Sequence, residues 1–338
     1  MPGLFLTTPG TRATLCGERL VITLPAEDEQ ADAAAATREI PLRDIEHVVL
    51  AETAHLTIPA LAELLRRAIP VVLTNHSERV LGVCLPPAPH SAARLAQYRA
   101  AGDPAQTLAL AREWVVAKIL NARRTLQRLA ANRSAVEADP TLLAMAELAE
   151  RARTAASLET LRGYEGTAAG RYFELYGSFF PVRAPFERRS RRPPHNAANA
   201  VLSYAYTLLC AELECRIHAV GLDPCVGFLH ETADGRPALA LDMLEPFRAP
   251  VADALALDLL THGTLDPARH FDSRDGGVYL NTEGRKRFFV GYERRLTREY
   301  LSEQTGQRTT LRGEMHRQAL GLKQTLVDGA PFTPFLMN

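Results

Sequence analysis

The hydrophobic period of this chain changes once, at Pro86-Pro87-Ala88-Pro89, and that change governs how its 338 residues divide. Prolines at this density interrupt helix and strand alike. Upstream, short alternating segments read as strands: Leu4 to Thr8, Arg19 to Leu24, His47 to Leu50 and Val71 to Thr74. One helix, opened by Pro59, lies among them with Leu61, Leu64, Leu65 and Ala68 on one face. The acidic, alanine-rich stretch Ala26 to Thr37 reads as a long exposed loop. Downstream the period becomes helical. Val115, Ile119, Ala122, Leu126 and Leu129 make a continuous apolar stripe. Asp139-Pro140 predicts a helix start with Asp139 as N-cap. Residues 156–177, Asn199 to Val220 and Phe288 to Gln304 also predict helices. Val278 to Leu280 predicts a short strand before a turn at Asn281-Thr282-Glu283-Gly284. The expected class is α+β, with a small β-rich domain over residues 1–88 and a larger, mostly α-helical domain over residues 89–338.

Composition narrows the function classes. Hydrophobic content of 46% and charged content of 23% suit a soluble globular protein. No uninterrupted apolar run approaches the ~20 residues of a membrane span, and the start lacks a signal-peptide pattern. Five cysteines form no CxxC pair, so reduced thiols and a cytoplasmic location are expected. Net charge is zero but unevenly placed. Residues 1–90 carry 7 basic and 11 acidic side chains, and the remainder 32 and 28. Much of the basic excess lies in two clusters: Arg183, Arg188, Arg189, Arg191 and Arg192, then Arg285, Lys286, Arg287, Arg294, Arg295 and Arg298. Clustered guanidinium groups suit phosphate oxygens, although either cluster alone also reads as a solvated face.

Three short runs hold acids or an imidazole in apolar surroundings. On a helix over 156–177, Glu165 shares a face with Ala168, Ala169, Tyr172 and Tyr176, so it must be paired, metal-bound or protonated. Arg162 is the obvious local partner, and the adjacent Gly166 would permit close approach by a backbone or a ligand. His230 ends the apolar segment Val226-Gly227-Phe228-Leu229 and has no second histidine four residues on, which excludes a zinc-protease motif. Asp242 and Glu245, at i and i+3, would point to one side of a helix that Pro246 and Pro250 bend. Arg248 would serve as a phosphate contact or as the partner of one of these acids.

In their order and wording these runs resemble the CRISPR-associated integrase/endonuclease family of spacer acquisition. The resemblance is carried by Arg162-Gly163-Tyr164-Glu165-Gly166 with Ala169 and Tyr172, and by Arg191-Arg192-Pro193-Pro194 through Tyr204. Gly221-Leu222-Asp223-Pro224, Gly227-Phe228-Leu229-His230 and Asp242 through Arg248 continue it, and the N-terminal strands fit the family's β domain. Two departures are the length of the 26–37 loop and Ala249-Pro250, where the family more often has proline directly after the arginine. The resemblance implies Glu165, His230 and Glu245 as catalytic metal ligands for Mn²⁺ or Mg²⁺, with Asp242 as a nearby auxiliary acid. It implies DNA contacts from Arg162, Arg188, Arg189, Arg191, Arg192, Arg248, Arg285, Lys286 and Arg287. The expected chemistry joins the 3′-OH of incoming DNA to repeat phosphodiesters, with cleavage of double-stranded or branched DNA by the same phosphoryl transfer. The family also implies a homodimer formed through the β domain and a small CRISPR-associated partner protein, on which the apolar tail Ala330 to Asn338 would dock. The alternatives are a non-catalytic DNA-binding scaffold whose acids merely pair with arginines, and a helical enzyme acting on small phosphoesters.

Overall fold

A computed structural model describes residues 3–25, 36–75, 80–86, 91–131 and 138–338. Most of the expected 26–37 loop therefore lies outside the described residues. The chain forms two compact units, Met1–Pro89 and His90–Asn338. The first is β-rich and the second mostly helical.

The smaller unit contains β1 (Leu4–Leu6), β2 (Arg12–Cys16), β3 (Arg19–Thr23), β4 (Thr37–Pro41), β5 (Val48–Ala51), β6 (His55–Leu56), α1 (Ile58–Arg66), β7 (Val71–Thr74) and β8 (Val80–Cys84). Among the described residues these strands make two four-stranded sheets, ordered β4-β3-β2-β6 and β1-β5-β7-β8. β2 and β3 form a hairpin turned at Gly17, whose φ of 57° is one that glycine accepts without strain. β5 and β7 are parallel, so the chain must cross over between them, and α1 provides the crossover. Ala60 and Leu64 of α1 pack into a core with Leu20, Leu42, Val48 and Val71. All four residues of β5 are buried, so the alternation expected of a half-buried strand does not apply there. Parallel strands covered on both faces read as continuous apolar runs.

The larger unit contains α2 (Ser91–Ala101), α3 (Pro104–Ala131), α4 (Asp139–Arg153), α5 (Leu158–Gly177), α6 (Ala197–Val220), α7 (Ala238–Leu244) and α8 (Ala254–Thr261). β9 (Phe271–Arg274), β10 (Gly277–Leu280), α9 (Thr282–Thr297), β11 (Tyr300–Leu301), β12 (Arg308–Thr309) and α10 (Leu311–Asp328) follow. The stripe read in the sequence places Val115, Ile119, Ala122 and Leu126 of α3 in the core, where α3 packs against α4 and α5. Ser157 caps α5 by accepting from the Thr160 N–H at 3.1 Å. Between α7 and α8 the backbone makes a 3₁₀ turn, Glu245–Phe247, and then a π turn, Arg248–Asp253. Pro246 and Pro250 have no N–H to give the α ladder, so the chain changes winding where they stand.

Three local readings need correction. Asn281 to Gly284 is a helix start and not a free turn, because the Asn281 side chain accepts the Gly284 N–H at 2.9 Å. The helix expected at Phe288 to Gln304 accordingly begins at Thr282 and ends at Thr297, before the β11–β12 pair. α4 starts at Asp139 itself with Ala138 in the cap position, so Asp139 supplies first-turn charge to the helix dipole.

Candidate metal centre

Glu165 on α5 and Glu245, at the start of the 3₁₀ turn, face the same ammonium group. Lys118, from the middle of α3, contacts Glu165 Oε1, and its Nζ lies 2.5 Å from Glu245 Oε2. His230 stands on the other side, its Nε2 3.8 Å from Glu245 Oε1. Arg248 Nε lies 3.1 Å from Glu245 Oε2. Lys118 thus links Glu165 to Glu245, and His230 approaches Glu245 at its other oxygen. Glu165 does not use Arg162, whose guanidinium donates to the Leu229 carbonyl at 2.7 Å.

Asp242 explains how the imidazole is held. Its carboxylate is fully buried, and it accepts from the backbone N–H groups of Phe228 at 2.6 Å, Leu229 at 3.0 Å and His230 at 2.8 Å. The same carboxylate lies 2.7 Å from His230 Nδ1. A carboxylate already accepting three N–H groups is an acceptor for the Nδ1 proton as well, which makes Nε2 the ring nitrogen turned toward Glu245. Gly227 is required here, because a Cβ on it would meet Asp242 Oδ2 at 2.9 Å. At Gly166, by contrast, an added Cβ would meet nothing within 4 Å among the described residues.

Electrostatics keep Glu245 ionised. Burial alone would raise its pKa, but Arg248, Lys118 and His230 overcome burial and lower it to about 2. Its buried Oε2 makes no well-aligned hydrogen bond and is held by charge. Two carboxylates and an imidazole nitrogen, without thiolate, match a hard divalent cation such as Mn²⁺ or Mg²⁺. The bridging ammonium is an independent sign that these oxygens are placed to surround positive charge.

The turn carrying Glu245 is clamped from behind. Asn121, buried on α3, donates to the carbonyls of Pro246 at 2.8 Å and Phe335 at 2.9 Å and accepts from the Met337 N–H at 2.8 Å. Gln318 of α10 bridges the Met243 carbonyl and the Phe335 N–H at 2.9 and 3.0 Å. The Phe247 and Phe335 rings stack 4.8 Å apart. The tail read as a partner-docking segment is therefore folded onto its own unit, because its aromatic side chains find a complementary apolar surface there.

A cavity of about 70 Å³ opens beside the carboxylates, lined in part by Lys118, Arg191, Tyr206, Arg248 and Asp253. Asp253 at its wall is caged by tyrosines. It accepts from Tyr172 at 2.8 Å and from Tyr206, and its backbone carbonyl accepts from Tyr176 at 2.7 Å. Burial raises the Asp253 pKa to about 6 against the opposing pull of Tyr206, Tyr172, Arg248 and Arg189.

The basic residues separate into two kinds. Arg188, Arg191, Arg192 and Lys286 are exposed. Arg189 is half-buried, donating to Asn199 Oδ1 at 2.8 Å and Ser203 Oγ at 3.0 Å, with its guanidinium over the Tyr206 ring. Arg295 donates to the Pro250 carbonyl and supports the π turn. Arg248 lies over Tyr206 as well as against Glu245. Arg285 reaches Thr282 Oγ1 at 3.3 Å, and Arg287 pairs with Glu283 at 2.9 Å. Sequence reading missed Lys118 and the Asn121 clamp. A signal existed for the first, because only 3 of the 39 basic residues are lysine and Lys118 is the one that interrupts an apolar helix.

The family pattern described as CRISPR associated protein Cas1 matches residues 4–294. A CRISPR-associated endonuclease Cas1 of Thermus thermophilus is 38% identical over 99% of this chain and 99% of its own length. A Cas4/Cas1 exonuclease–endonuclease fusion of Rhodospirillum rubrum is 39% identical over 98% of this chain, which spans 57% of that longer protein. A casposase solved bound to integration product superimposes over 99% of this chain and 93% of its own, with a TM-score of 0.86 and 24% identity, a likeness of fold.

Proposed function

The chain belongs to the CRISPR-associated Cas1 family, and from that premise we propose that it is a metal-dependent DNA endonuclease and integrase of spacer acquisition. The observation that supports the reading is that one ammonium, that of Lys118, joins Glu165 Oε1 to Glu245 Oε2, while His230 Nε2 approaches the other oxygen of Glu245. These three side chains would hold Mn²⁺ or Mg²⁺. Bound there, the ion would supply Lewis acidity that offsets charge developing on a phosphate and on the leaving 3′ oxygen.

The remaining work falls to the chain itself. Asp242 holds the His230 ring through Nδ1, so Nε2 is the nitrogen that would be offered to a metal. Arg191 and Arg248 line the cavity and place fixed positive charge where phosphate oxygens would lie. In joining, the 3′-OH of an incoming DNA end forms a new P–O bond as the repeat's P–O3′ bond breaks, and a proton passes from the attacking hydroxyl to the leaving oxygen through solvent. With water as nucleophile, the same displacement is hydrolysis. Both reactions are governed by positioning and electrostatics. Exposed Arg188, Arg192 and Lys286 would track double-stranded or branched DNA, together with Arg162, Arg285 and Arg287. The proposal includes a homodimer formed through the β-rich unit, a small CRISPR-associated partner protein and a cytoplasmic location. No helix among the described residues is long and apolar enough to cross a membrane.

The test is a strand-joining assay on branched DNA with Mn²⁺, with Mg²⁺ and with chelator. His230→Ala and Glu245→Ala should each lower joining by ~10³-fold, with far-UV circular dichroism nearly unchanged. Full joining by either variant, or in chelator, overturns the proposal. DNA binding without joining in any metal would instead favour the scaffold alternative.

A further inference from the structure

Lys118 is the residue that this reading leaves without a role. Its ammonium touches both proposed metal-ligand carboxylates, at Glu165 Oε1 and at Glu245 Oε2, and the side chain is 18% exposed. A divalent ion of this class takes carboxylate oxygens at about 2.0–2.2 Å, so an ion and an ammonium cannot both hold the same oxygen pair. Residue choice sharpens the point. The chain has 3 lysines, Lys118, Lys286 and Lys323, and its other 36 basic residues are arginine. An arginine here would clamp two carboxylates with a planar fork, whereas lysine is a compact point charge on a flexible stem. The cavity beside the carboxylates gives the ammonium room to withdraw. Arg248 would remain on Glu245 when it does.

We infer that Lys118 is an exchangeable internal counter-ion of the centre. It holds Glu165 and Glu245 opposite one another until a divalent ion takes its place. This makes Lys118 a positioning residue, one that sets the metal affinity through competition. The inference rests on the metal-centre reading of Glu165, His230 and Glu245.

The experiment titrates Mn²⁺ against the full chain without nucleic acid, following free Mn²⁺ by electron paramagnetic resonance. Each protein is also melted in EDTA and in Mn²⁺. Lys118→Met should bind Mn²⁺ ~10-fold more tightly than the parent, since the competing charge is gone. It should melt lower in EDTA and gain more from Mn²⁺ than the parent gains. Lys118→Arg should fold and bind Mn²⁺ more weakly than the parent. A merely structural lysine predicts unchanged or weaker binding in the methionine variant, and that result in a folded protein overturns the inference. Should Lys118→Met not fold, the arginine variant decides, and affinity equal to the parent's overturns it. Glu245→Gln separates the two readings. If it leaves Mn²⁺ binding intact, the metal centre is misassigned and this inference falls with it. If it weakens binding while Lys118→Met does not tighten it, only the role of Lys118 fails.

Discussion

In the larger unit two central cations each bridge a pair of glutamates, and the two clusters are built differently. At Arg312, 2% exposed, the guanidinium donates to Glu212 at 3.0 and 3.2 Å and to Glu293 at 3.0 and 2.6 Å. Tyr292 adds a further hydrogen bond to Glu212 at 2.9 Å. Each fork of the arginine is matched to a carboxylate, and the assembly ties α6, α9 and α10 together. At Lys118 a single ammonium serves two carboxylates beside a cavity, and Glu245 Oε2 lacks an aligned hydrogen bond. Similar charge counts therefore give a lock in one place and a socket in the other. Saturated, directional pairing makes an ionic cluster structural, while under-coordinated pairing beside open space leaves it able to take a ligand.

Breaking the lock should have the largest effect on stability. Arg312→Met takes the shared guanidinium from buried Glu212 and half-buried Glu293, and ~3–5 kcal/mol of stability should be lost. Urea unfolding measures that loss, and Mn²⁺ should restore none of it. Were Mn²⁺ to rescue Arg312→Met, the two clusters would not differ in kind and the comparison would collapse.

Asp253 supplies a third arrangement, an acid held by hydroxyls with arginines nearby and, among the described residues, no ion pair. Its folded pKa of about 6 lies above its ordinary value of 3.8, so the folded chain binds more protons than the unfolded chain between those values. Stability contributed by this group therefore falls as pH rises through that window and levels off above it. Asp253→Asn does not titrate. Its stability relative to the parent should improve by about 3 kcal/mol from about pH 3 to about pH 7, whatever the offset from altered tyrosine hydrogen bonds. A difference that stays constant across urea melts in that range would show that burial does not govern Asp253.

Much of the fold was legible because it rests on periodicity. The stripe on α3 and the change of period beyond residue 86 are both local signals, read over a few turns of chain. Glu165, His230 and Glu245 were legible as acids and an imidazole that apolar neighbours could not hold unaided. What escaped depends on contacts distant in sequence. Lys118 sits within an apolar stripe, where a lysine ordinarily lays down its stem and sends its charge to solvent. Its ammonium turns inward because two carboxylates, 47 residues away on α5 and beyond α7, meet it there. Asn121 looked like a helix residue until the tail and the Glu245 turn supplied its partners. The bearing of Asp253 depended on the π turn, which Pro250 suggested without fixing its direction. Arginine clustering gave charge without burial, so Arg189 and Arg295 looked like surface groups although both brace the interior.

The smallest effect tests that last distinction, between arginines facing out and arginines facing in. Arg188 is exposed, while its neighbour Arg189 spends its guanidinium on Asn199, Ser203 and the face of Tyr206. Arg188→Ala should leave the melting temperature unchanged and weaken DNA binding about equally across sequences. The slope of log affinity against log salt should become shallower by ~1, the signature of one lost phosphate contact. Arg189→Ala should do the reverse, lowering thermal stability by about 1–2 kcal/mol through lost internal hydrogen bonds while moving the salt slope little. Its influence on joining would then come through Tyr206, whose ring lies against both Arg189 and Arg248. A flattened slope and an unchanged melt for Arg189→Ala would place this arginine on the DNA, because an internal strut has no counterion to release.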